Sequence, residues 1–197
     1  MSSGTSAPKQ TPSTNNEVRG FDGYIHDSVN SKLPLDAYPV EQDIQKYIDM
    51  GKCSNPNLDP VFLMRLAALA RDYGNGQKIK FSDGASGLRT YDEQVRLYKA
   101  TGGYQNENGE WVGGNGTAAK PGTSSHGFGV AVDVAAGWMW VNSSGTKKAL
   151  INEDILAKYG LCRPDSRTVE IHHLAPIEVK GKSTADLKTY YDAYYNK

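Results

Sequence analysis

The apolar segment Phe128–Ala135 (FGVAVDVA) constrains the fold of this 197-residue chain more than any other part of the sequence. The segment is rich in β-branched residues and nearly all apolar, which is typical of a strand at the centre of a sheet. Asp133 interrupts it, and an ionised carboxylate is costly to bury unless a partner compensates for its lost hydration. We therefore expect a central strand whose one acidic side chain either is held structurally or belongs to a site.

Helix signals flank this strand on both sides. Asp59-Pro60, followed by apolar residues of helical period, predicts a helix that ends at Gly74. Thr90 and Glu93 match a capping box, which predicts the start of a second helix. Further helices are predicted at about residues 40–50, at about 146–159, and from 183 into the tyrosine-rich terminus.

Short strands and a hairpin complete the predicted elements. Residues 78–82 and 168–171 are strand candidates, and Asn108-Gly109 within residues 104–112 is a strong hairpin signal. A small number of short strands among several helices predicts an α+β fold, in which the helices pack on a small sheet.

Length and composition limit the class of protein. Residues 1–20 have almost no apolar content, which predicts a disordered low-complexity tail before a single domain at residues 21–197. The 22 basic and 22 acidic residues balance, which argues against a nucleic-acid partner. We expect no transmembrane segment, because no apolar run reaches the length that a bilayer requires. Cys53 and Cys162 are predicted to be small buried thiols, with a single disulfide between them as the alternative.

Three of the four histidines lie in two segments that suit a metal site. His126, in a Gly-rich loop, precedes Asp133 by seven residues, and together they supply half of a two-histidine, one-carboxylate zinc site. Glu170 and His173 lie three residues apart in the segment VEIHH. Since they would face opposite sides of a strand, we expect the strand to end near Ile171 and the chain to turn. Glu170 is then a candidate general base, the alternative being an exposed surface carboxylate.

Three separate motifs resemble one known family. Ser124–Asp133 (SSHGFGVAVD) resembles the Ser-x-His-x-x-Gly-x-Ala-x-Asp signature of the VanY-type D-alanyl-D-alanine carboxypeptidases, a zinc metallopeptidase family that includes related phage endolysin peptidases. Glu170–His173 (EIHH) resembles its Glu-x-x-His element, and Ser86–Thr90 (SGLRT), followed by Gln94, resembles its upstream Ser-Gly-Tyr-Arg-Ser…Gln segment. The resemblance implies a small, mainly antiparallel sheet with packed helices and a zinc site at the sheet face, as in the hedgehog domain.

The resemblance also implies roles for the matching residues. His126, Asp133 and His173 would bind one Zn²⁺ per chain, and Glu170 would act as general base and then as general acid. Arg89 would stabilise an oxyanion or hold a substrate carboxylate, unless it forms only a structural salt bridge.

Other substrate contacts follow less directly from the resemblance. Ser124 would help to place the substrate. His172 stands where the family usually has Trp, so it is an alternative zinc ligand or a part of the substrate pocket. Leu174-Ala175 stands where the family often has Arg-Tyr, which leaves that part of the pocket undefined. Trp111, in the long insert at residues 102–120, is expected to contact substrate if the insert is a lid, the alternative being a surface hairpin.

These matches imply zinc-dependent hydrolysis of peptide bonds in bacterial peptidoglycan. The partner would be the stem peptide, and we expect a monomer that acts on the cell wall. The D-Ala–D-Ala bond and the L-Ala–D-Glu bond cut by phage endolysins are the competing targets. No signal peptide is visible after Met1, so we expect phage release, another export route or a leader already removed. The alternative of another class is a non-catalytic zinc-containing binding module, against which the presence of Glu170 and Arg89 argues.

Overall fold

The chain has an α+β fold of short helices and small sheets, as the sequence predicts. The computed structural model describes residues 17–19, 25–27, 43–164 and 170–188. Strands β1 (Glu17–Arg19) and β2 (Ile25–Asp27) pair with each other. The remainder of the predicted tail at residues 1–20 lies outside the described residues.

A three-stranded antiparallel sheet lies at the centre of the fold. Its strands are β7 (Val132–Asp133), β10 (Leu161–Cys162) and β11 (His173–Pro176), in the order β10-β11-β7. In this register His173 lies directly opposite Asp133. Because directly opposed residues of antiparallel strands project from the same face, the sheet brings these two side chains together.

Helix α2 (Pro60–Tyr73) supplies much of the hydrophobic core beside this sheet. One carboxylate oxygen of Asp59 accepts hydrogen bonds from the backbone N–H groups of Val61 and Phe62, so the predicted helix start is confirmed. Phe62 and Leu66 of this helix are fully buried, in the same cluster as Val132 and Leu174 of the sheet. The helix therefore fixes the back of the strands whose front carries the histidine and the carboxylate.

The second predicted helix and the predicted hairpin are also confirmed. Helix α3 (Tyr91–Ala100) begins with the complete Thr90–Glu93 capping box. Strands β5 (Gly103–Gln105) and β6 (Trp111–Gly113) form the hairpin around Asn108-Gly109. Shorter elements precede them: α1 (Ile44–Tyr47), β3 (Ile48–Asp49) and β4 (Ile79–Lys80), in which β3 and β4 pair in parallel.

Two sequence predictions are wrong in part. The helix predicted at 146–159 is a strand, β9 (Thr146–Ala149), followed by a short helix, α4 (Glu153–Lys158). Strand β9 pairs with β8 (Trp140–Ser143) across Ser144 and Gly145, whose φ angles of 52° and 81° are those of a tight hairpin turn. In residues 43–50, the described part of the helix predicted at 40–50, the α-helix is limited to α1, because the chain extends into β3 after Tyr47.

The central strand is shorter than its apolar run predicts. Residues 125–128 form a 3₁₀ turn that ends at Gly129 in the left-handed region, and only Val132–Asp133 form a regular strand. Its central position is right, because the hydrogen bonds Ser82 N–Asp133 O and Ala135 N–Lys80 O join β7 and the residues after it to the end of β4 and the residues after it, on the other edge of β7. Buried apolar runs of this length do not by themselves distinguish strand from buried loop.

The strand predicted at 168–171 is absent from residues 170 and 171, the part of it that the structure describes. Residues 165–169 lie outside the described residues, Glu170 begins a short turn, and the strand starts at His173. The turn predicted between Glu170 and His173 is therefore present, before the strand rather than after it. The helix predicted from 183 is present at 184–188, and the rest of it lies outside the described residues.

Neither cysteine forms a disulfide. Cys162 is buried and Cys53 is half-buried, so the buried-thiol prediction is confirmed for Cys162 and only approximately right for Cys53. Burial raises the pKa of the Cys162 thiol to about 12, which keeps it protonated and unreactive. Within the described residues, no helix has the length and apolar character needed to cross a membrane.

Candidate metal centre and active-site cleft

The cross-strand pair of Asp133 and His173 forms the base of the candidate site. The Nδ1 atom of His173 lies 3.2 Å from Oδ1 of Asp133. The other ring nitrogen, Nε2, is 3.3 Å from the hydroxyl oxygen of Ser125, which fixes the plane of the ring. A histidine held at its outer nitrogen in this way presents the inner nitrogen to a site.

His126 approaches the same carboxylate from the 3₁₀ turn Ser125–Phe128. Its Nδ1 lies 3.0 Å from the carbonyl oxygen of Gly87, and its Nε2 lies 3.4 Å from Oδ2 of Asp133. A carbonyl only accepts, so Nδ1 carries the proton and the lone pair of Nε2 faces the carboxylate. The rings of His126 and His173 meet edge to face, with centroids 4.8 Å apart.

The donor set of these three residues fits a zinc ion. Their ligand atoms all lie within 4.8 Å of one another. Tetrahedral zinc with ligands at about 2.0–2.2 Å places neighbouring ligand atoms about 3.3 Å apart, close to the two nitrogen–oxygen distances above. The lone pair of His126 Nε2 directed at a carboxylate oxygen is unfavourable by itself, and a cation between them removes the repulsion.

The protonation states in the cluster suit a metal ligand set. Complete burial lowers the pKa of His126, so its imidazole is neutral near pH 7. Burial alone would raise the pKa of Asp133, but the cluster holds this pKa below its ordinary range, and the Nδ1 atom of His173 is the group that can donate a proton to the carboxylate in the absence of a metal. A neutral imidazole and an ionised carboxylate are the forms that bind zinc.

The cluster opens into a cleft of about 740 Å³. Glu170 lines this cleft, half-buried, in the turn before β11. Its Oε2 atom lies 3.6 Å from Nε2 of His172, and that nitrogen lies 3.9 Å from Oδ1 of Asp133. Burial lowers the pKa of His172. Two carboxylates, three imidazoles and an open volume therefore meet at one end of the sheet, and that arrangement can hold a metal beside a general base.

Comparison with known families gives one match, and it bears directly on this cluster. The model of the VanY family, described as D-alanyl-D-alanine carboxypeptidase, matches residues 61–166, more than half of the chain. This chain belongs to the VanY family. Members of the family are peptidases that act on peptidoglycan and are in general zinc-dependent. No curated protein and no solved structure matches the chain.

The family match covers part of the candidate site. Arg89, Ser124, His126 and Asp133 lie inside the matched residues, whereas the segment with Glu170 and His173 follows the end of the match. The two parts are joined by the pairing of β7 with β11, which places His173 against Asp133. In this VanY-family chain the sheet therefore adds His173, which lies outside the matched residues, to the residues that lie inside them.

Arg89 lies on the wall of the cleft, with its guanidinium fixed by backbone and side-chain acceptors. It donates from Nε and Nη2 to the carbonyl oxygen of Ala85 and from Nη1 to Oε1 of Gln94. Gln94 is itself buried and donates to the carbonyl oxygen of Ala119. Nη2 also lies 3.7 Å from Oδ2 of Asp133, so the guanidinium lies near an anionic group. Such a partner is favourable because Arg89 precedes the N-terminus of α3, the end of a helix where a cation is disfavoured. Burial lowers the pKa of Arg89, but a guanidinium remains charged.

Ser124 and Trp111 occupy different positions with respect to this cleft. Ser124 is buried in its wall and also borders a second cavity of about 430 Å³, which Arg89 shares. Trp111 is not among the residues that line the main cleft; its indole N–H donates to the hydroxyl of Tyr91, and its ring packs edge to face on Tyr98. The insert reaches the cleft instead through residues 116–119. Substrate contact by Trp111 and the lid remain predictions.

Several residues around the site carried no recognised signal in the sequence. The Gly87 carbonyl holds His126, the Ser125 hydroxyl faces His173, and Lys147 contacts His172. Gly87 and Ser125 lie inside the family-like motifs, so those motifs could have identified them. Lys147 belongs to a hairpin that was predicted to be helical, and nothing local in the sequence relates it to the cleft.

Proposed function

We propose that this chain hydrolyses a peptide bond of the peptidoglycan stem peptide with one zinc ion bound by His126, Asp133 and His173. The observation that carries the proposal is the convergence of these three side chains within 4.8 Å at a cleft that Glu170 and Arg89 also line. The VanY-family match supports the substrate class.

The residues divide the chemistry among them. A zinc ion at this position supplies a Lewis acid for the scissile carbonyl and lowers the pKa of water towards 7. The Glu170 carboxylate takes the proton of the attacking water and returns it to the leaving amine, so that no net proton is gained or lost by the enzyme. The Arg89 fork binds either the terminal carboxylate of the stem peptide or the negative charge that develops on the carbonyl oxygen.

The D-Ala–D-Ala bond is the favoured target. The family description names this carboxypeptidase activity, and a terminal carboxylate gives the fixed guanidinium of Arg89 an anionic partner in the cleft. The L-Ala–D-Glu bond is the second candidate, because the long insert that reaches the cleft at residues 116–119 also suits a lytic endopeptidase. A monomer remains our expectation for the oligomeric state.

The test is digestion of a D-Ala–D-Ala-ended pentapeptide and of purified peptidoglycan, with and without a chelator, followed by mass spectrometry. Loss of the terminal D-Ala that returns when zinc is restored is the expected result. Stem peptides released from L-Ala would instead assign the endopeptidase activity. A zinc-loaded protein that leaves both substrates intact would refute hydrolysis and favour the non-catalytic binding module.

Two variants separate metal binding from proton transfer. Glu170→Gln should keep one zinc per chain and lose about 10²–10⁴-fold in kcat, because general-base catalysis contributes that much. Asp133→Asn should lose the zinc itself, which elemental analysis measures directly. Glu107→Gln makes the same change as the first variant at an exposed position in the hairpin loop, and it should behave like the unaltered protein.

A further inference from the structure

The hairpin β8–β9 brings a cation to the edge of the candidate active site. Lys147 on β9 extends its ammonium group to within 3.2 Å of Nδ1 of His172. The same ammonium lies 5.7 Å from the ring centre of Trp140, and the His172 ring lies 5.9 Å from it. Trp140 is buried and donates its indole N–H to the carbonyl oxygen of Val134. Lys147 and His172 thus meet against a fixed aromatic surface.

The contact assigns the proton on the imidazole of His172. A lysine ammonium carries three donors and no acceptor, so the Nδ1 atom that faces it must accept. The single ring proton of a neutral imidazole then sits on Nε2. The ring nitrogen on the cleft side therefore carries a hydrogen and no free lone pair.

This Nε2–H group points at two carboxylates. It lies 3.6 Å from Oε2 of Glu170 and 3.9 Å from Oδ1 of Asp133. Both distances are just beyond hydrogen-bonding range, and catalytic hydrogen bonds commonly tighten when substrate binds. With the opposite tautomer, the Nε2 lone pair would face both carboxylates and repel them. The nitrogen that carries the ring proton thus decides whether His172 attracts or repels the Glu170 carboxylate.

We propose that Lys147 is a positioning residue that fixes His172 as an Nε2–H donor and thereby holds the Glu170 carboxylate in the cleft. The proposal rests on the proposed function, in which Glu170 is the general base. It also separates the two adjacent histidines: His173 binds the metal, whereas His172, protonated at Nε2 and occupied at Nδ1, orients the base.

Kinetics of a matched pair of lysine variants test the proposal. Lys147→Met should lower kcat on the D-Ala–D-Ala pentapeptide roughly two- to tenfold, the effect of one hydrogen bond of ordinary net strength. KM should change little, because Lys147 does not line the cleft. Lys147→Arg, which also can only donate, should restore most of kcat. Lys148→Met, on the opposite face of the same strand, should leave kcat unchanged.

A double-variant cycle shows whether Lys147 acts through His172. In a His172→Phe background, which has no ring nitrogen, Lys147→Met should change kcat by less than about twofold. A loss of kcat that persists in this background, or a rise in KM, would mean that Lys147 contacts substrate directly, and would overturn the proposal. An active enzyme whose Lys147→Met variant keeps full kcat would overturn it as well.

Nitrogen-15 spectra of the histidine rings give a readout that does not need activity. The His172 signals, assigned by their loss in His172→Phe, should show a protonated Nε2 and an unprotonated Nδ1, and Lys147→Met should weaken this preference. A protonated Nδ1 in the unaltered protein would refute the positioning role. An unaltered, zinc-loaded protein with no peptidase activity would instead refute the proposed function, whatever the spectra show.

Discussion

The buried ion pair between Arg65 and Glu178 allows a quantitative test of how the fold supports its central sheet. The two guanidinium nitrogens Nη1 and Nη2 each lie 2.7 Å from a carboxylate oxygen of Glu178, and Nη1 also donates to the carbonyl oxygen of Gly160. The side chains are only 2% and 7% exposed. The pair connects helix α2 to the segment just after β11, the strand that begins with His173.

Removal of one partner should cost far more than an exposed ion pair is worth. Glu178→Ala would remove two charge-assisted hydrogen bonds and leave the buried Arg65 guanidinium without this carboxylate. Removal of one partner of a buried ion pair costs about 3–5 kcal/mol. That is a large part of the roughly 5–15 kcal/mol by which a domain of this size is stable. We therefore expect a large fall in the free energy of unfolding, and partial unfolding at moderate temperature.

An ion pair that is exposed on both sides provides the control. Lys46 and Asp43 lie three residues apart at the start of α1, and their side chains are 68% and 37% exposed. Asp43→Ala should therefore cost at most about 1 kcal/mol, because water solvates the lysine that remains. The two variants differ in the burial of the charge that loses its partner, so the comparison isolates the effect of burial.

Urea unfolding monitored by circular dichroism measures the free energy of unfolding of these two variants and of a double variant. Arg65→Met with Glu178→Leu removes both charges and should recover most of the stability lost in Glu178→Ala, because no charge is left unpaired. If Glu178→Ala costs no more than Asp43→Ala, the argument from burial is refuted. If the double variant is no more stable than Glu178→Ala, the loss arises from packing and not from the charge of Arg65.

Two further predictions concern stability against pH and metal affinity. Burial raises the pKa of Asp59 to about 6 from an ordinary 3.8, so the folded chain holds this proton more tightly than the unfolded chain. Because of this group, the free energy of unfolding falls as pH rises from about 4 to about 7. Asp59→Asn, which does not titrate, should make the free energy of unfolding measured in urea depend less on pH over this range. Gly87→Ala would place a methyl group 2.3 Å from the Asn55 carbonyl oxygen and displace the carbonyl that holds His126. Zinc affinity should fall about 10–100-fold in chelator competition. Gly137→Ala, whose added methyl group would have no neighbouring atom within 4 Å, should leave the zinc affinity unchanged.

The sequence predicted best the elements whose signals are local. Helices α2 and α3 begin at Asp59 and Thr90, where one side chain satisfies orphan backbone N–H groups within three residues. The turn at Ser144-Gly145, which joins β8 to β9, was not predicted, although its chemistry is equally local, and residues 146–149 were predicted to be helical. The error thus lies in a local turn signal that the prediction left out, and not in a signal that the sequence lacks.

The length of the central strand could not be read from composition. Val130 and Val132 are both fully buried, as an apolar run predicts, yet only Val132 lies in a regular strand. Whether a buried residue forms ladder hydrogen bonds depends on partners that are distant in sequence: the Asp133 N–H donates to the carbonyl oxygen of Ser86, and not to a strand partner. Such long-range pairing leaves no trace in the pattern of apolar residues.

The predictions for the candidate site divide in the same way, into those that follow from local motifs and those that depend on the assembled fold. The resemblance of the motifs to one family predicted His126, Asp133 and His173 as a single ligand set, because a metal site needs such side chains wherever the backbone brings them together. It left open whether His172 or His173 binds the metal. That choice depends on the β7–β11 register, which sets His173 opposite Asp133, and on a lysine from a hairpin whose sequence suggested a helix. The ligand types are a property of the local motif, whereas the selection between adjacent histidines is a property of the assembled fold. The nitrogen-15 spectra of His172 are therefore the most direct probe of what the fold adds to the motif.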